Sequence, residues 1–504
     1  MNDAIVHVAN EVAPYSKRGG LGDVVGSLPK ALARGTGAAN LVFTPLYAAD
    51  RLGKTLAQEI EIEYMHATYQ GWMHRLTGPD GVIHYFVEFR GIYSFNETSQ
   101  NYPRPYQVEA DLRYFLFAKA VLHFLRGQKS RIRAIITHDW HAGAIYPYLR
   151  ALYPRQAIKT IHIIHNYHYQ GELFPDIFPL LESEPRSILE GIYNQYGYCN
   201  MQSLAVELAD RLMTVSAQYA EELRTNRAPH CGMEIVAKNA GKLSGSVNGL
   251  DYGTWDPATD PMLARTYGIG TLSRKRENKK VLLRGLHLDA SGGKALAVLI
   301  SRLTPQKGLD LFLDLKTGAP FEPRERMRRL LAAGLVLVIC GNPDGALSRL
   351  IDRQFGALES AFPRYFRYIN HYDEATAHML YAGADMLLLP SRFEPCGLSQ
   401  LIAMRYGTVP LVMKTGGLME TVTEPENGRG GNGFVMECYS FESLLEAVQR
   451  ALAAYADRDG WLALAARCMA ANYAWEARLE PYLTLLDPVA GGTAATADKG
   501  GGPR

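Results

Sequence analysis

The residue with the clearest chemical setting is a carboxylate. Glu394 stands in the run Pro390-Ser391-Arg392-Phe393-Glu394-Pro395-Cys396-Gly397-Leu398. Proline and glycine restrict the backbone there and hold the acid in place. A helix-length gap later comes Lys414-Thr415-Gly416-Gly417-Leu418. A fixed acid followed by a Gly-Gly turn suits a ligand that carries a sugar and phosphates together. The first half has a matching turn, Lys17-Arg18-Gly19-Gly20-Leu21, after an apolar run and before a predicted helix at Val24–Ala33. Glycines let backbone N–H groups approach a phosphate, and a helix N-terminus favours its charge. One such turn per half predicts two lobes that share one ligand. The same spacing also fits a plain strand-to-helix turn. In the second half, Ser301-Arg302-Leu303-Thr304-Pro305-Gln306-Lys307-Gly308 places two cations five residues apart across a turn that opens a helix. Two cations converging there suit a diphosphate, and surface charge is the competing reading.

Two further strand ends carry polar clusters. His138-Asp139-Trp140-His141 follows the run at Ala134–Thr137, and His165-Asn166-Tyr167-His168-Tyr169-Gln170-Gly171 follows Thr160–Ile164. Side chains that hydrogen-bond hydroxyls beside an aromatic face suit a glycoside. Clustered histidines also raise a metal reading, but no ligand set of standard spacing completes His138 and His141. Histidines that merely cap helices remain the third reading. Cys396 beside Glu394 raises a thiol nucleophile, yet no Cys-His signature surrounds it, so a small packing residue near the ligand is expected. Asp139 and Glu394 would be the carboxylate pair of a hydrolase, but they lie in different halves.

These residues need strand ends to hold them. Short apolar runs recur at Ile5–Ala9, Leu41–Thr44, Tyr85–Phe89, Ala134–Thr137, Thr160–Ile164 and Leu212–Ser216, then at Ala295–Ile300, Leu335–Cys340, Tyr365–Ile369, Met386–Leu389 and Val409–Met413. Several are apolar throughout, as in parallel strands covered on both faces. Helical stretches between them predict an α/β fold of doubly wound sheets, with ligands at the carboxyl ends of the strands. A length of 504 residues accommodates two such domains. The segment from Asn248 to about Ala290 is the expected hinge. Its basic stretch, Arg274 to Lys280, reads as a solvated helix face. Hydrophobic content of 47% and charged content of 21% fit full cores, and a net charge of +2 disfavours nucleic acid. The six cysteines are scattered without a C-x-x-C pair, which argues for a reducing compartment. The start of the chain shows no signal peptide, and no run of about 18 apolar residues predicts a membrane span.

Taken in order, these motifs, with Val247-Asn248-Gly249-Leu250-Asp251 before the hinge, resemble the bacterial glycogen synthase and plant starch synthase family from about Ile5 to about Tyr482. The resemblance implies two Rossmann-like doubly wound domains facing a central cleft, the B-type glycosyltransferase fold. It places the N-terminal, acceptor-side domain at 1–250, completed by a C-terminal helix at 460–486. The nucleotide-sugar domain would be 251–459, and 488–504 a disordered tail. It implies retaining transfer of glucose from ADP-glucose to the 4-hydroxyl at the non-reducing end of an α-1,4-glucan such as glycogen. No metal or other cofactor, no nucleic acid and no membrane partner is implied, and the location would be cytoplasmic. Carried over by position, Glu394, His165, Arg302, Lys307 and Asp139 would be catalytic. Lys17, Gly19, Gly20, Asn248, Arg302, Lys307, Cys396, Gly397, Leu398, Thr415, Gly416 and Gly417 would bind the donor. Asp139, His165, Asn166, Tyr169 and Gln170 would meet the sugar or acceptor. Arg18 stands where the family has Thr, and Tyr167 and His168 stand where Leu and Ala are common. The alternatives are a related retaining glucosyltransferase using UDP-glucose or a small acceptor, and a non-catalytic glucan-binding homologue.

Overall fold

The computed structural model describes residues 3–47, 53–93, 108–128, 130–153, 158–225, 227, 230–289, 291, 293–343, 345–426 and 430–486. The tail expected at 488–504 lies outside the described residues. The apolar runs of the first half fall on strands β1 Asp3–Val8, β2 Ala39–Pro45, β5 Ile83–Glu88, β6 Arg131–His138, β7 Lys159–Ile164 and β10 Arg211–Thr214. Five more join them: β3 Thr55–Tyr64, β4 Ala67–Thr77, the short pair β8 Glu172–Leu173 and β9 Cys199–Asn200, and β11 Leu243–Gly245. Nine of the eleven form one sheet in the order β11-β10-β7-β6-β1-β2-β5-β4-β3. The second half gives β12 Ala295–Ile300, β13 Leu335–Cys340, β14 Phe366–Ile369, β15 Met386–Leu389, β16 Val409–Met413 and β17 Phe434–Met436. These make a parallel sheet in the order β14-β13-β12-β15-β16-β17.

Both orders reverse once. In the first sheet the chain winds outward from β1 through β2, then returns to build β6, β7 and β10 on the other side of β1. In the second it winds from β12 to β13 and β14, then returns at β15. Diverging crossovers leave a crevice beyond the carboxyl ends of the two central strands. The crevice residues are those after β1 and β6 in one lobe and those after β12 and β15 in the other. They are the motifs singled out above.

The first sheet is not parallel throughout. β3 and β4 form an antiparallel hairpin, and β4 runs antiparallel to β5. The pattern Glu59-Ile60-Glu61-Ile62-Glu63-Tyr64 alternates exposed acid with buried apolar side chain, as a sheet with one wet face demands. The basic stretch also departs from a solvated face. Lys275 is turned in, and its ammonium donates to the carbonyls of Tyr381 (2.8 Å), Ala382 (3.0 Å) and Tyr406 (2.9 Å). Those carbonyls end two helices, where intrahelical partners run out. Lys279 is drawn to Asp385 at 2.6 Å. Arg276 and Lys280 stay on the wet side of that helix.

The return of the chain to the first lobe is shorter than the expected 460–486. The helix Arg458–Ala470 packs on the helices Ser399–Arg405 and Phe441–Ala456 of the second lobe. Trp475, Glu476, Leu479 and the helix Glu480–Leu486 reach the helix Gly20–Thr36. Trp475 is 2% exposed and its indole N–H donates to Ser27 Oγ at 2.7 Å. Leu250, Trp475, Tyr482 and Leu486 lie in one continuous core with Leu28 and Leu32 of the first lobe and β12 and β13 of the second. Trp475→Ala removes the largest plug in that joint. It is expected to cost about 3–5 kcal/mol in urea unfolding. A loss under about 1 kcal/mol would show that the joint does not depend on it.

Candidate active site

On the second lobe the site is built around Glu394, which is 7% exposed. Its Oε2 accepts from Lys307 Nζ at 2.5 Å and from Ser391 Oγ at 2.9 Å. Lys307 comes from the turn after β12 and Glu394 from the loop after β15, so the pair closes the crevice of that sheet. Two glycines fix the loop. A Cβ on Gly308 would lie 2.2 Å from the Pro390 carbonyl oxygen, and one on Gly416 would lie 2.1 Å from that of Glu394. Both glycines have positive φ, +81° and +44°, so any other residue would be strained as well as crowded. Gln306 Nε2 adds a bond to the Phe393 carbonyl at 3.2 Å.

On the first lobe the residues after β6 and β7 meet. Asp139 Oδ1 accepts the backbone N–H groups of His165 (2.7 Å) and Asn166 (3.1 Å). Asp139 has φ +56° and ψ 176°, a region that side chains other than glycine rarely adopt. Strain of that kind concentrates at functional sites. Burial pushes the Asp139 carboxyl up to about 7, against the pull of the two N–H groups. Burial also lowers His165 to about 3 and holds His138 well below its ordinary value. Both imidazoles are therefore neutral near pH 7. Asn166 Oδ1 caps the N–H of His168 at 3.1 Å. Tyr169 is 41% exposed in the cleft.

Gln170 is engaged within its own lobe. Its amide spans Cys231 O and Asn200 Nδ2 within the first lobe, at 2.7 Å and 2.9 Å. Tyr167 is buried, with its hydroxyl on Gly232 O. Lys17 lies in the cleft with Asp23 at 2.7 Å and Glu374 of the other lobe at 3.2 Å. Burial works against its charge, but the two carboxylates more than offset that and raise its pKa. Gly19 begins the helix Gly20–Thr36, and Gly20 lies against Leu398 across the cleft. Asn248 is buried beside Cys396. Burial pushes that thiol up to about 12, against donors from Asn248, so it is a packed thiol and not a thiolate nucleophile. Gly397 has φ +75° and turns the chain into the helix Ser399–Arg405. Thr415 sits at the entry of the turn, whose N–H groups are already engaged: Gly416 N–H with Glu222 at 3.1 Å and Gly417 N–H with Glu394 O at 3.0 Å.

The lobes touch over the site. The Arg302 guanidinium lies 5.9 Å from the Tyr169 ring, and His168 and His230 lie 5.5 Å and 5.0 Å from the Phe393 ring. Glu11 is the residue that motif reading passes over. It follows β1, is buried, and accepts the N–H groups of Arg18 (2.7 Å) and Gly22 (2.8 Å). It thereby sets the shape of the first glycine turn. Burial pushes its carboxyl up to about 7, and the nearby Arg302 pulls the other way. A lone acid six residues before Lys17 is the only signal the sequence offers. Among the described residues no group of three or more His, Cys, Asp or Glu is arranged to hold a metal ion. None of their helices is long and apolar enough to cross a membrane.

Two doubly wound sheets with their crevices face to face define a glycosyltransferase of the B-type fold. Residues 4–239 match the starch synthase catalytic domain, and 288–461 match the group 1 glycosyl transferases. The chain is 34% identical over 499 residues to glycogen synthase 2 of Geobacter metallireducens, covering 95% of this chain and 98% of that one. Glycogen synthase of Clostridium botulinum is 32% identical over 506 residues, covering 95% and 98%. Among solved structures, the catalytic domain of starch synthase IV from Arabidopsis thaliana, bound to ADP and acarbose, superposes with a TM-score of 0.85 at 28% identity, covering 96% of this chain and 99% of that one. Sucrose-phosphate synthase from Thermosynechococcus elongatus, at 17% identity and TM-score 0.59, shares the fold. The chain belongs to the glycogen and starch synthase family.

The buried acid Asp139 makes a sign-specific prediction. Its folded pKa of about 7 lies above the ordinary 3.8, so the folded state holds the proton more tightly. The associated stability is complete below about pH 4 and is lost as pH rises through 7. Asp139→Asn lacks this dependence. Below pH 4 the two proteins are expected to unfold alike, and at pH 8 the variant to be more stable by on the order of 2–4 kcal/mol, at one pKa unit per 1.36 kcal/mol. Parallel stability–pH curves would show that the acid is not paying a burial cost.

Proposed function

We propose that the chain transfers glucose from ADP-glucose to the 4-hydroxyl at the non-reducing end of an α-1,4-glucan, with retention and without a metal. The observation that carries this is the meeting of two strand-end clusters. Glu394, Lys307 and Arg302 stand at the reversal point of one sheet, and Asp139 stands at that of the other with His165 at the end of the next strand. Arg302 and His168 lie close enough to interact across the cleft. The solved relative with ADP and acarbose bound supports the choice of nucleotide and glucan.

The chemistry follows from charge. Negative charge accumulates on the leaving diphosphate, so Arg302 and Lys307 would stabilise it in a site held dry by the lobes. Lys307 has three N–H donors and uses one on Glu394, which leaves two for phosphate oxygens. Glu394 then orients both the lysine and the hydroxyls of the transferred glucose. Neutral His165 and Asp139 would flank the sugar on the opposite wall. Asn248, Cys396–Leu398 and Thr415–Gly417 would line the nucleotide side, and Lys17, Gly19 and Gly20 would close it from the first lobe. Asn166 and Tyr169 would meet the acceptor.

The test is nucleoside diphosphate release from ADP-glucose and UDP-glucose, with and without glycogen, before and after exhaustive chelation. Glycogen-dependent release of ADP, chain-lengthened product and indifference to chelation are expected. Turnover of UDP-glucose alone, or transfer only to a small sugar, would move the assignment to the related glucosyltransferases. Loss on chelation, restored by a divalent ion, would overturn the metal-free reading.

Glu394→Gln keeps the shape and the Ser391 contact but removes the charge that holds Lys307. Turnover is expected to fall by at least about 10²-fold with the fold intact by circular dichroism. Arg302→Ala and Lys307→Ala are expected to lower turnover similarly and to weaken ADP binding in calorimetry. A Glu394→Gln rate within about threefold of the parent, or unchanged ADP binding in both cation variants, would remove those residues from the site.

A further inference from the structure

We propose that Asn40, His7 and His138 form a hydrogen-bonded relay that fixes the tautomer of His165, so that its Nδ1 is an acceptor for a hydroxyl of the sugar under transfer. The proposal rests on the function proposed above. Asn40, His7 and His138 are positioning residues in it.

The relay runs through the interior of the first lobe, from β2 through β1 and β6 to the end of β7. Asn40 Nδ2 lies 3.0 Å from the carbonyl oxygen of Ala38. A carbonyl only accepts, so the amide must place its NH2 group there. The amide oxygen then faces His7 Nε2 at 3.0 Å. That oxygen also only accepts, so His7 carries its proton on Nε2. His7, Asn40 and His138 are at most 1% exposed, and burial lowers His7 to about 4. A neutral imidazole has one donor and one acceptor, so His7 Nδ1 is bare. It lies 3.2 Å from His138 Nε2 and takes that proton. His138 Nδ1 is bare in turn and lies 3.0 Å from His165 Nε2. His165 therefore donates inward from Nε2, and its Nδ1 keeps a lone pair.

Each bond in the series has one possible direction, and the direction is set by a backbone carbonyl at the far end. His165 Nδ1 has no hydrogen-bond partner among the described residues and is not sealed from solvent. Its backbone N–H is on Asp139, in the cleft. The polarity matters to the chemistry. As the diphosphate leaves, positive charge builds on the sugar, and a preorganised lone pair stabilises it where an N–H would oppose it. A sugar hydroxyl can donate or accept, so it cannot choose the tautomer itself. The relay makes the choice before the ligand arrives.

The test uses the full chain labelled with [15N]histidine, in which two-bond 1H–15N correlations distinguish the tautomers ring by ring. Nε2–H is expected for His7, His138 and His165 in the parent. His7→Phe keeps the ring shape and removes the acceptor for His138. His165 is then expected to shift toward Nδ1–H, with kcat lowered about tenfold or more and the donor KM within about threefold. His7→Asn returns an acceptor oxygen near the place of Nδ1, and is expected to restore both the tautomer and kcat. Asn40→Leu breaks the relay at its far end and should act as His7→Phe does, which covers the case in which His7→Phe does not fold. An Nδ1–H tautomer at His165 in the parent would overturn the relay. So would a folded His7→Phe or Asn40→Leu protein with the parent's His165 tautomer or the parent's kcat. A parent with the Nε2–H series but no glucosyl transfer would support the relay and overturn the function proposed above.

Discussion

The site depends on keeping one ion pair nearly dry. Glu394 and Lys307 meet at 2.5 Å with side chains only 8% and 15% exposed. Removing two ions from water costs several kcal/mol each, and the attraction offsets that only with good geometry and additional hydrogen bonds. The extra bond here is Ser391 Oγ. The geometry comes from topology. β12 and β15 are neighbours in the sheet, so the turns that follow them are brought side by side. Gly308 then presses on the start of the Glu394 loop and Gly416 on its middle. Sheet order, two glycines and one serine are thus needed for a single contact, and the rest of the second lobe can be read as their support.

The first lobe meets the same difficulty in another way. Its buried acids, Asp139 and Glu11, are held by two backbone N–H groups each. Those donors do not offset burial, which is why both carboxyls are pushed up to about 7. Its histidines are held neutral by the same burial. The polarity of this wall is set by hydrogen-bond direction, and that of the opposite wall by full charges. A sugar that gains positive charge while its leaving group gains negative charge needs that asymmetry. The strained backbone at Asp139 lies on the same wall.

Much of this was legible in the sequence because buried parallel strands write themselves as continuous apolar runs. All eleven such runs fall on strands, and the polar motifs after them mark the crevices. The hairpin β3–β4 was harder to see because its signal is alternation within a charged stretch. The inward turn of Lys275 and Lys279 was hidden as well, since a run of cations does not show which helix ends will lie beside it. Glu374 and His7 share a further reason. Each matters through a partner far away in the chain, such as Lys17 for Glu374 and His138 for His7, and a single sequence does not show such pairings. Gln170 presents the opposite case. Its motif placed it at a strand end, but Asn200 and Cys231 engage its amide inside the lobe.

The joint between the lobes is of two kinds, and the difference bears on how the cleft can work. One part is apolar and continuous, running through Leu250, Trp475 and Tyr482. Burial on that scale is worth several kcal/mol and does not come apart under a small perturbation. The other part spans the cleft and is polar. It includes Lys17 with Glu374, Arg302 over Tyr169 and Gly416 N–H with Glu222. Partly exposed contacts of this sort contribute on the order of 1 kcal/mol or less each. Lys17, Arg302 and the Gly416 N–H are also groups suited to a phosphate, and two of the three now face a carboxylate. Exchanging a carboxylate for a phosphate leaves such a cation or N–H satisfied throughout, so a ligand can enter without exposing an unpaired donor. The apolar joint takes no part in such an exchange, which concerns the polar contacts alone.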